Sequence, residues 1–500
     1  MDFYYDRVSL SPDSFTGQFI LTKNRDFIPQ GWSQVNVGQW YLGVLGLPVL
    51  DVETTSEHRI GWCVGYPITG EQKSERIITL RTLERNSIDM LAIENFYEHT
   101  GGKYILILLT RDEQSLFLDP YGSLATVFST TEPIIASTPT LLPDEHEWNE
   151  ELIKVLNMPE SGLWFPSGLT PKKGVRRLLP NHCLSLDNWS VRRHWPTSEA
   201  DVAVEYDEHD VERNVDTIAA SIKSSIGIVA AHHPLQFSLT AGRDSRMLLA
   251  CARDVLQCAS FFTFAEKNET VDTHIALRLA TRFNLNHVFI PVQDANEAEM
   301  RHWLYLTGHS VSGAIWKIHK SLQNLDRNRV LLPGMGGEVG RSFYWRQSDE
   351  EDTALSAKDL LERCGLPQDG EIRLETNSWL SELSGFNAFS ILDLFYIEQR
   401  LGCWAAPQHY GNKVSLFEFS PFNHRKIFRS MMKLPYEYRR RQELTKDICL
   451  DSWSALLMLP FNEFTGIKKY AGQIRNLAYR TLSPGYRVIK KTLSSWQGGS

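Results

Sequence analysis

The sequence predicts an α/β fold in which a strand-rich first part is followed by a parallel sheet covered by helices on both faces. Three observations lead to this reading. The first 200 residues contain short runs rich in β-branched and aromatic side chains, separated by Gly, Pro and Asp turns. From Val211 onward, helical and strand patterns alternate instead. The strands of this second part form a run of mainly apolar segments, the signature of a parallel sheet covered on both faces. A chain of 500 residues, 42% hydrophobic and 22% charged, has room for roughly two to four domains and is too apolar to be intrinsically disordered.

In the first part, residues 60–68, 104–110 and 115–118 read as strands. Gly101-Gly102, Arg111-Asp112-Glu113 and Asp119-Pro120-Tyr121-Gly122 read as turns, so 104–118 is a predicted hairpin. A last strand pair, 183–186 and 191–195, follows a basic stretch interrupted by Gly and Pro, and 201–210 is acidic. This places a boundary near residue 200, with a first unit at 1–200, a second at 201–470 and a basic tail at 471–500. In the second unit, helices are predicted at 211–228, 245–253 and 271–283, and strands at 235–239, 259–264, 288–292 and 330–332. Val271, Ile275, Ala276, Leu279, Ala280 and Phe283 share one helical face. After Ser378 the pattern is mainly helical.

Composition excludes several function classes. Seven cysteines show no CxxC pair and no His/Cys set at zinc spacing, which predicts reduced, mostly buried thiols and no transition metal. A net charge of −8 argues against a general nucleic-acid binder. No apolar run approaches the roughly 18–20 residues of a membrane span. Met1 to Asp6 carries acids where a targeting segment carries Lys or Arg, so the expected location is cytoplasmic. The charge is uneven, because the chain after Glu463 carries +7 and the remainder −15. A solvated helix would explain that tail, and so would a site for an anionic or membrane-associated substrate.

The sharpest local feature is an apolar strand ending at Leu239, followed by Thr240-Ala241-Gly242-Arg243-Asp244-Ser245 and a helix. Such a turn presents unpaired backbone N–H groups that favour a phosphate; an ordinary Asp/Ser helix cap fits the same six residues. It is neither a P-loop nor a dinucleotide fingerprint.

These six residues resemble the Ser-Gly-Gly-x-Asp-Ser pyrophosphate loop of the asparagine synthetase-like ATP pyrophosphatases, and further features follow in the family's order. Asp272 opens a helix that ends at Asn284-Leu285-Asn286-His287. Pro333-Gly334-Met335-Gly336-Gly337-Glu338-Val339 resembles the family's Ser-Gly-acid-Gly-x-Asp-Glu loop. Arg400, then Pro421-Phe422-Asn423-His424-Arg425, then Leu434-Pro435 resemble its helical region. The resemblance spans residues 210 to 470. Gly102 to Ile105, Leu116 to Gly122 and Ile135 to Ser137 are similar to the family's glutaminase-type N-terminal domain. This implies an N-terminal-nucleophile-hydrolase-like αββα unit ahead of an adenine-nucleotide-hydrolase-like sheet. Working members use a cysteine directly after the initiator Met. Asp2 stands there in this chain, so glutamine hydrolysis is expected to be absent, as in the β-lactam synthetases and lasso-peptide cyclases.

What the resemblance implies is an ATP- and Mg²⁺-dependent ligase that adenylates a small-molecule or peptide carboxylate and passes it to ammonia or an amine. By position, Leu239 and Phe264 would lie against adenine, Gly334 near the nucleotide, and Thr240, Gly242 and Ser245 around pyrophosphate. Asp244 and Glu338 would hold Mg²⁺; Glu338 also reads as a surface turn residue. Lys468 or Lys469 would stabilise acyl transfer, although a basic helix face explains both equally well. Either Tyr396 or Glu398, two apart on a helix and so on different faces, could serve as a base. Ala241 departs from the loop's first Gly. Met335 stands where asparagine synthetases carry an acid, which ranks aspartate behind a sugar acid or a peptide as substrate.

Overall fold

β-Branched and aromatic runs become strands because their side chains fit a pleated, half-buried surface. The computed structural model describes residues 12–70, 77–80, 89–143, 146–312, 315–412 and 417–465. Asp2, Lys468, Lys469 and the tail 471–500 lie outside them. The strands of the first part are β1 (Gln18–Thr22), β2 (Ser33–Val37), β3 (Trp40–Leu45), β4 (Val49–Thr54), β5 (Arg59–Thr69), β6 (Ile77–Leu80), β7 (Thr100–Leu109), β8 (Gln114–Leu118), β9 (Val127–Ser129), β10 (Ile134–Ala136), β11 (Val175–Arg177), β12 (His182–Ser185) and β13 (Val191–Arg193). They form a six-stranded antiparallel sheet, β11-β9-β10-β1-β3-β2, and a seven-stranded sheet, β13-β12-β8-β7-β5-β4-β6, in which β4 and β6 alone run parallel. The expected hairpin is β7–β8, with Leu109 paired to Gln114 across the turn.

The two sheets pack face to face through Phe19, Leu21, Trp40 and Leu42 on one side and Trp62, Val64, Ile105 and Ile107 on the other. The helix Met90–His99 covers the outer face of the seven-stranded sheet with Ile93, Phe96 and Tyr97. On the other face of the six-stranded sheet, the αββα expectation is not met by a long helix from the described residues of the first part; Ile28, Trp32 and Leu142 from loops and short turns pack there against Ile20, Val127 and Ile134. All seven cysteines are free, and five are buried.

The second part contains β14 (Leu235–Ser238), β15 (Ala259–Ala265), β16 (His287–Pro291) and β17 (Val330–Leu332) in an all-parallel sheet ordered β16-β15-β14-β17. The helix Val271–Phe283 has the expected limits, with a Thr270 cap at one end and a left-handed Asn284 at the other. The first helix, Glu208–Ala230, starts earlier than its apolar periodicity because Asp207 caps it, accepting from the His209 N–H at 2.9 Å. The chain steps outward from β14 to β15 and β16, then returns to the other side of β14 at β17. Strand order therefore reverses between β14 and β17, and a crevice opens at their carboxyl ends. Among the described residues, no helix is long and apolar enough to cross a membrane.

One hydrophobic cluster joins the parts, bringing Ile68, Tyr121 and Trp195 together with Phe237, Leu248 and Phe428. The segment 421–425 fastens them by polar contacts. The Asn423 side-chain amide donates to Gly102 O (2.6 Å) and to Asp119 Oδ1 (2.7 Å), while its Oδ1 accepts from Tyr121 N–H (3.1 Å). Arg425 donates to Glu94 (2.8 Å) and lies over the Tyr97 and Trp195 rings. His424 caps the helix Arg425–Lys433, its Nδ1 accepting from Lys426 N–H at 3.2 Å. Burial, then the Lys426, His99 and Arg425 charges, holds this imidazole down to about 3 from its ordinary 6.5.

The unfolded chain therefore binds a proton at residue 424 below pH 6.5 that the folded chain refuses, and this contribution to stability is lost as pH falls from 6.5 toward 3. His424→Asn keeps a capping oxygen and removes the titration. The variant is expected to show a shallower fall of unfolding free energy with decreasing pH than the wild type, measured by denaturant titration, the difference in slope approaching about 1.4 kcal/mol per pH unit. Equal slopes in the two proteins would contradict this role.

Candidate functional site

The two loops leaving β14 and β17 meet in the crevice, and glycine is what lets them touch. A Cβ on Gly337 would lie 2.3 Å from Asp244 Oδ1, and one on Gly334 would lie 3.1 Å from the Asp244 Cβ. Gly336 has φ +104°, a left-handed conformation, and packs against Phe422. The Phe422 ring also faces Gly337, so the segment that fastens the two parts of the chain also supports the loop from β17.

The loop from β14 is held by its own hydroxyls. Thr240 Oγ1 and Ser245 Oγ are 2.9 Å apart, Gly242 N–H donates to Thr240 Oγ1 (3.1 Å), and Ala241 N–H donates to Asp272 Oδ1 (2.8 Å). The helix Arg243–Cys251 starts at Gly242, which offers no capping side chain to its first N–H groups, the kind of helix start that favours an anion. The Ala241 side chain is buried in the core and leaves the loop backbone in extended geometry at Gly242.

Charge converges on Asp244. Arg341 Nη2 donates to its Oδ2 and lies 3.8 Å from the Glu338 carboxylate, and Glu338 also accepts from Gly336 N–H at 3.1 Å. Burial, then the neighbouring Glu338, pushes the Asp244 carboxyl up; Arg341 only partly opposes them. Asp244 Oδ1 is buried and has no hydrogen-bond partner among the described residues. The Tyr396 hydroxyl, hydrogen-bonded to Glu338, is raised well above its ordinary value by burial and then by that carboxylate.

This arrangement fits a divalent cation. Two carboxylates reach one point from two loops, and one of their oxygens is unsatisfied. No group of three or more His, Cys, Asp or Glu side chains at metal-binding distance occurs among the described residues. The donor set thus suits Mg²⁺, which takes one or two protein carboxylates and fills its remaining positions from water and phosphate.

The remaining expected site residues are placed as follows. Leu239 is buried and lies at the end of β14, its N–H donating to Phe262 O (2.8 Å) on β15, and Phe264 is half-buried two residues further along β15 against Phe262 and Ile290. Lys468 and Lys469 lie outside the described residues; the described chain before them ends at Thr465, which bonds His274 Nε2 at 2.8 Å. Of the Tyr396 and Glu398 pair, Tyr396 reaches Glu338 while Glu398 is buried on the other side, held by Arg193 and by Trp379 Nε1 (2.6 Å). Arg341 and Phe461 were not singled out by the sequence. Arg341 follows Glu338 at helical spacing, a signal that was available; Phe461, whose ring lies under both Arg243 (4.5 Å) and Arg246 (4.6 Å), had none.

No protein-family model matches the chain, and no curated protein sequence matches it. Among solved structures, the chain is similar to NMN synthetase from Francisella tularensis, with 12% identity and a TM-score of 0.18 over 39% of this chain and 93% of that one.

Gly337→Ala forces the new methyl group against Asp244. It is expected to weaken Mn²⁺ binding, followed by titration with the metal alone, by roughly 10–100-fold with an unchanged circular dichroism spectrum. Wild-type Mn²⁺ affinity in this variant would remove Asp244 from the metal site.

Proposed function

We propose that the chain is an ATP-dependent carbon–nitrogen ligase of the asparagine synthetase-like type. A substrate carboxylate oxygen attacks the α-phosphorus of ATP, the bond to the β-phosphate breaks and pyrophosphate leaves. Ammonia or an amine then displaces AMP from the acyl carbon to form an amide. The observation that carries this reading is the meeting of Thr240–Ser245 with Gly334–Glu338 at the carboxyl ends of β14 and β17, where strand order reverses. Thr240, Gly242 and Ser245, with the open helix start behind them, bind the pyrophosphate end. Asp244 and Glu338 hold Mg²⁺, which when bound offsets the charge of the phosphates. Tyr396 keeps its proton and orients Glu338 through its hydroxyl.

The first part is read as a glutaminase-type domain that has lost its nucleophile. The cysteines it contains support this reading: Cys63 and Cys183 are buried, and burial raises both thiols, Cys183 to about 11. The amine therefore comes from solution or from the substrate itself. A small acid such as a sugar acid fits the neutral Met335 best, a peptide carboxylate cyclised by its own amine comes second, and aspartate last. The basic tail after Glu463 suits an anionic or membrane-associated substrate. A second reading, a nucleotide-binding scaffold without turnover, is favoured by one observation, that Arg341 already pairs with Asp244.

Pyrophosphate release from Mg·ATP, challenged with pools of sugar acids, amino acids and peptides with and without ammonia, tests the reaction. Release should depend on one pool and should fall by roughly 100-fold or more in Asp244→Ala. Tight ATP binding with no release from any pool would support the scaffold, and undiminished turnover in Asp244→Ala would contradict the site.

A further inference from the structure

Two guanidinium groups in the crevice have nitrogens left over. Arg341 uses Nη2 on Asp244, while its Nε is buried and lacks a hydrogen-bond partner among the described residues. Arg243 forms no ion pair among the described residues; its guanidinium lies over the Phe461 ring, and its Nη1 is likewise buried and unpartnered. The two groups flank one carboxylate, since Arg341 bonds Asp244, the residue next to Arg243; burial and then the Arg341 charge disfavour the charged form of Arg243. Buried, unpartnered N–H donors on two neighbouring like charges, beside a helix start that no side chain caps, are costly unless an anion bridges them. A polyphosphate is such an anion: its oxygens accept from planar guanidinium forks in pairs, and its charge cancels the repulsion.

We propose that Arg243 and Arg341 form a clamp on the two terminal phosphates of the nucleotide and on the pyrophosphate it releases, with Arg341 giving up Asp244 to the divalent cation as the clamp closes. This rests on the nucleotide reading of the site and deepens it. Arg243 stands at the variable position of the first loop, and Arg341 lies beyond the second. Arg341 supplies the positive charge that Asp244 and Glu338 require; where a cation supplies it instead, Arg341 turns to the phosphates. Phe461 positions Arg243 by stacking, and Asn462 N–H, donating to Ala241 O at 3.0 Å, ties that ring to the loop.

The exchange gives effects of opposite sign in a single variant. Calorimetry with pyrophosphate, AMP and Mn²⁺ alone on Arg341→Ala should show pyrophosphate binding weakened by about tenfold or more, AMP within about twofold of wild type, and Mn²⁺ bound more tightly because Asp244 is freed. Arg243→Ala should weaken pyrophosphate alone, and it keeps the test informative if Arg341→Ala fails to fold. Unchanged pyrophosphate affinity in both variants, with a wild type that binds ATP, would overturn the clamp and leave the ligase reading standing. Equal losses for AMP and pyrophosphate would make the arginines structural and also overturn it. A wild type that binds neither ATP nor pyrophosphate would overturn the clamp and the ligase reading together.

Discussion

The close approach of two backbone loops at the carboxyl ends of β14 and β17 is the constraint on which the rest of the site depends. Asp244 can face Glu338 only because nothing larger than hydrogen occupies the α-carbon of Gly337. The contact brings two partly buried carboxylates together, and their mutual repulsion favours a cation beside them. Arg341 meets that requirement through its contacts with Asp244 and Glu338. The same contact aligns the open start of the helix Arg243–Cys251 with the loop from β17, so that donors for an anion and ligands for a metal share one small volume.

The first part of the chain contributes to this site through support. Phe422 braces Gly336 and Gly337, and the next residue, Asn423, is bonded into the β7 and β8 region through Gly102, Asp119 and Tyr121. A stretch of five residues thus transmits the position of a two-sheet sandwich to a loop of the parallel sheet. Asp119 is buried and satisfied by Ser123 Oγ, Leu124 N–H and the Asn423 amide, so the joint is rigid on both sides.

Local pattern made much of this architecture legible. The helix Val271–Phe283 could be read to the residue because six apolar side chains share a face between a Thr cap and an Asn end. The parallel strands stood out as apolar runs, and the turn after Leu239 was visible as the link from a strand to a helix start. Three features were hidden for physical reasons. The ion pair between Arg341 and Asp244 joins residues 97 apart, and no local period reports such a contact. The stretch Tyr396–Ala405 is π-helical, which alters the facing of side chains that an α-helical count would assign. The cover on the six-stranded sheet comes from isolated loop residues such as Ile28 and Trp32, which carry no periodic signal.

The central claim is a cation held between the loops of β14 and β17 beside a bound triphosphate. The most direct test is anomalous scattering from crystals grown with Mn²⁺ and a non-hydrolysable ATP analogue. The expected result is a manganese peak between the carboxylates of Asp244 and Glu338, in contact with phosphate oxygens that lie against Thr240, Gly242 and Ser245. Nucleotide bound elsewhere, or bound in the crevice with Asp244 still paired to Arg341 and no metal beside it, would contradict the account.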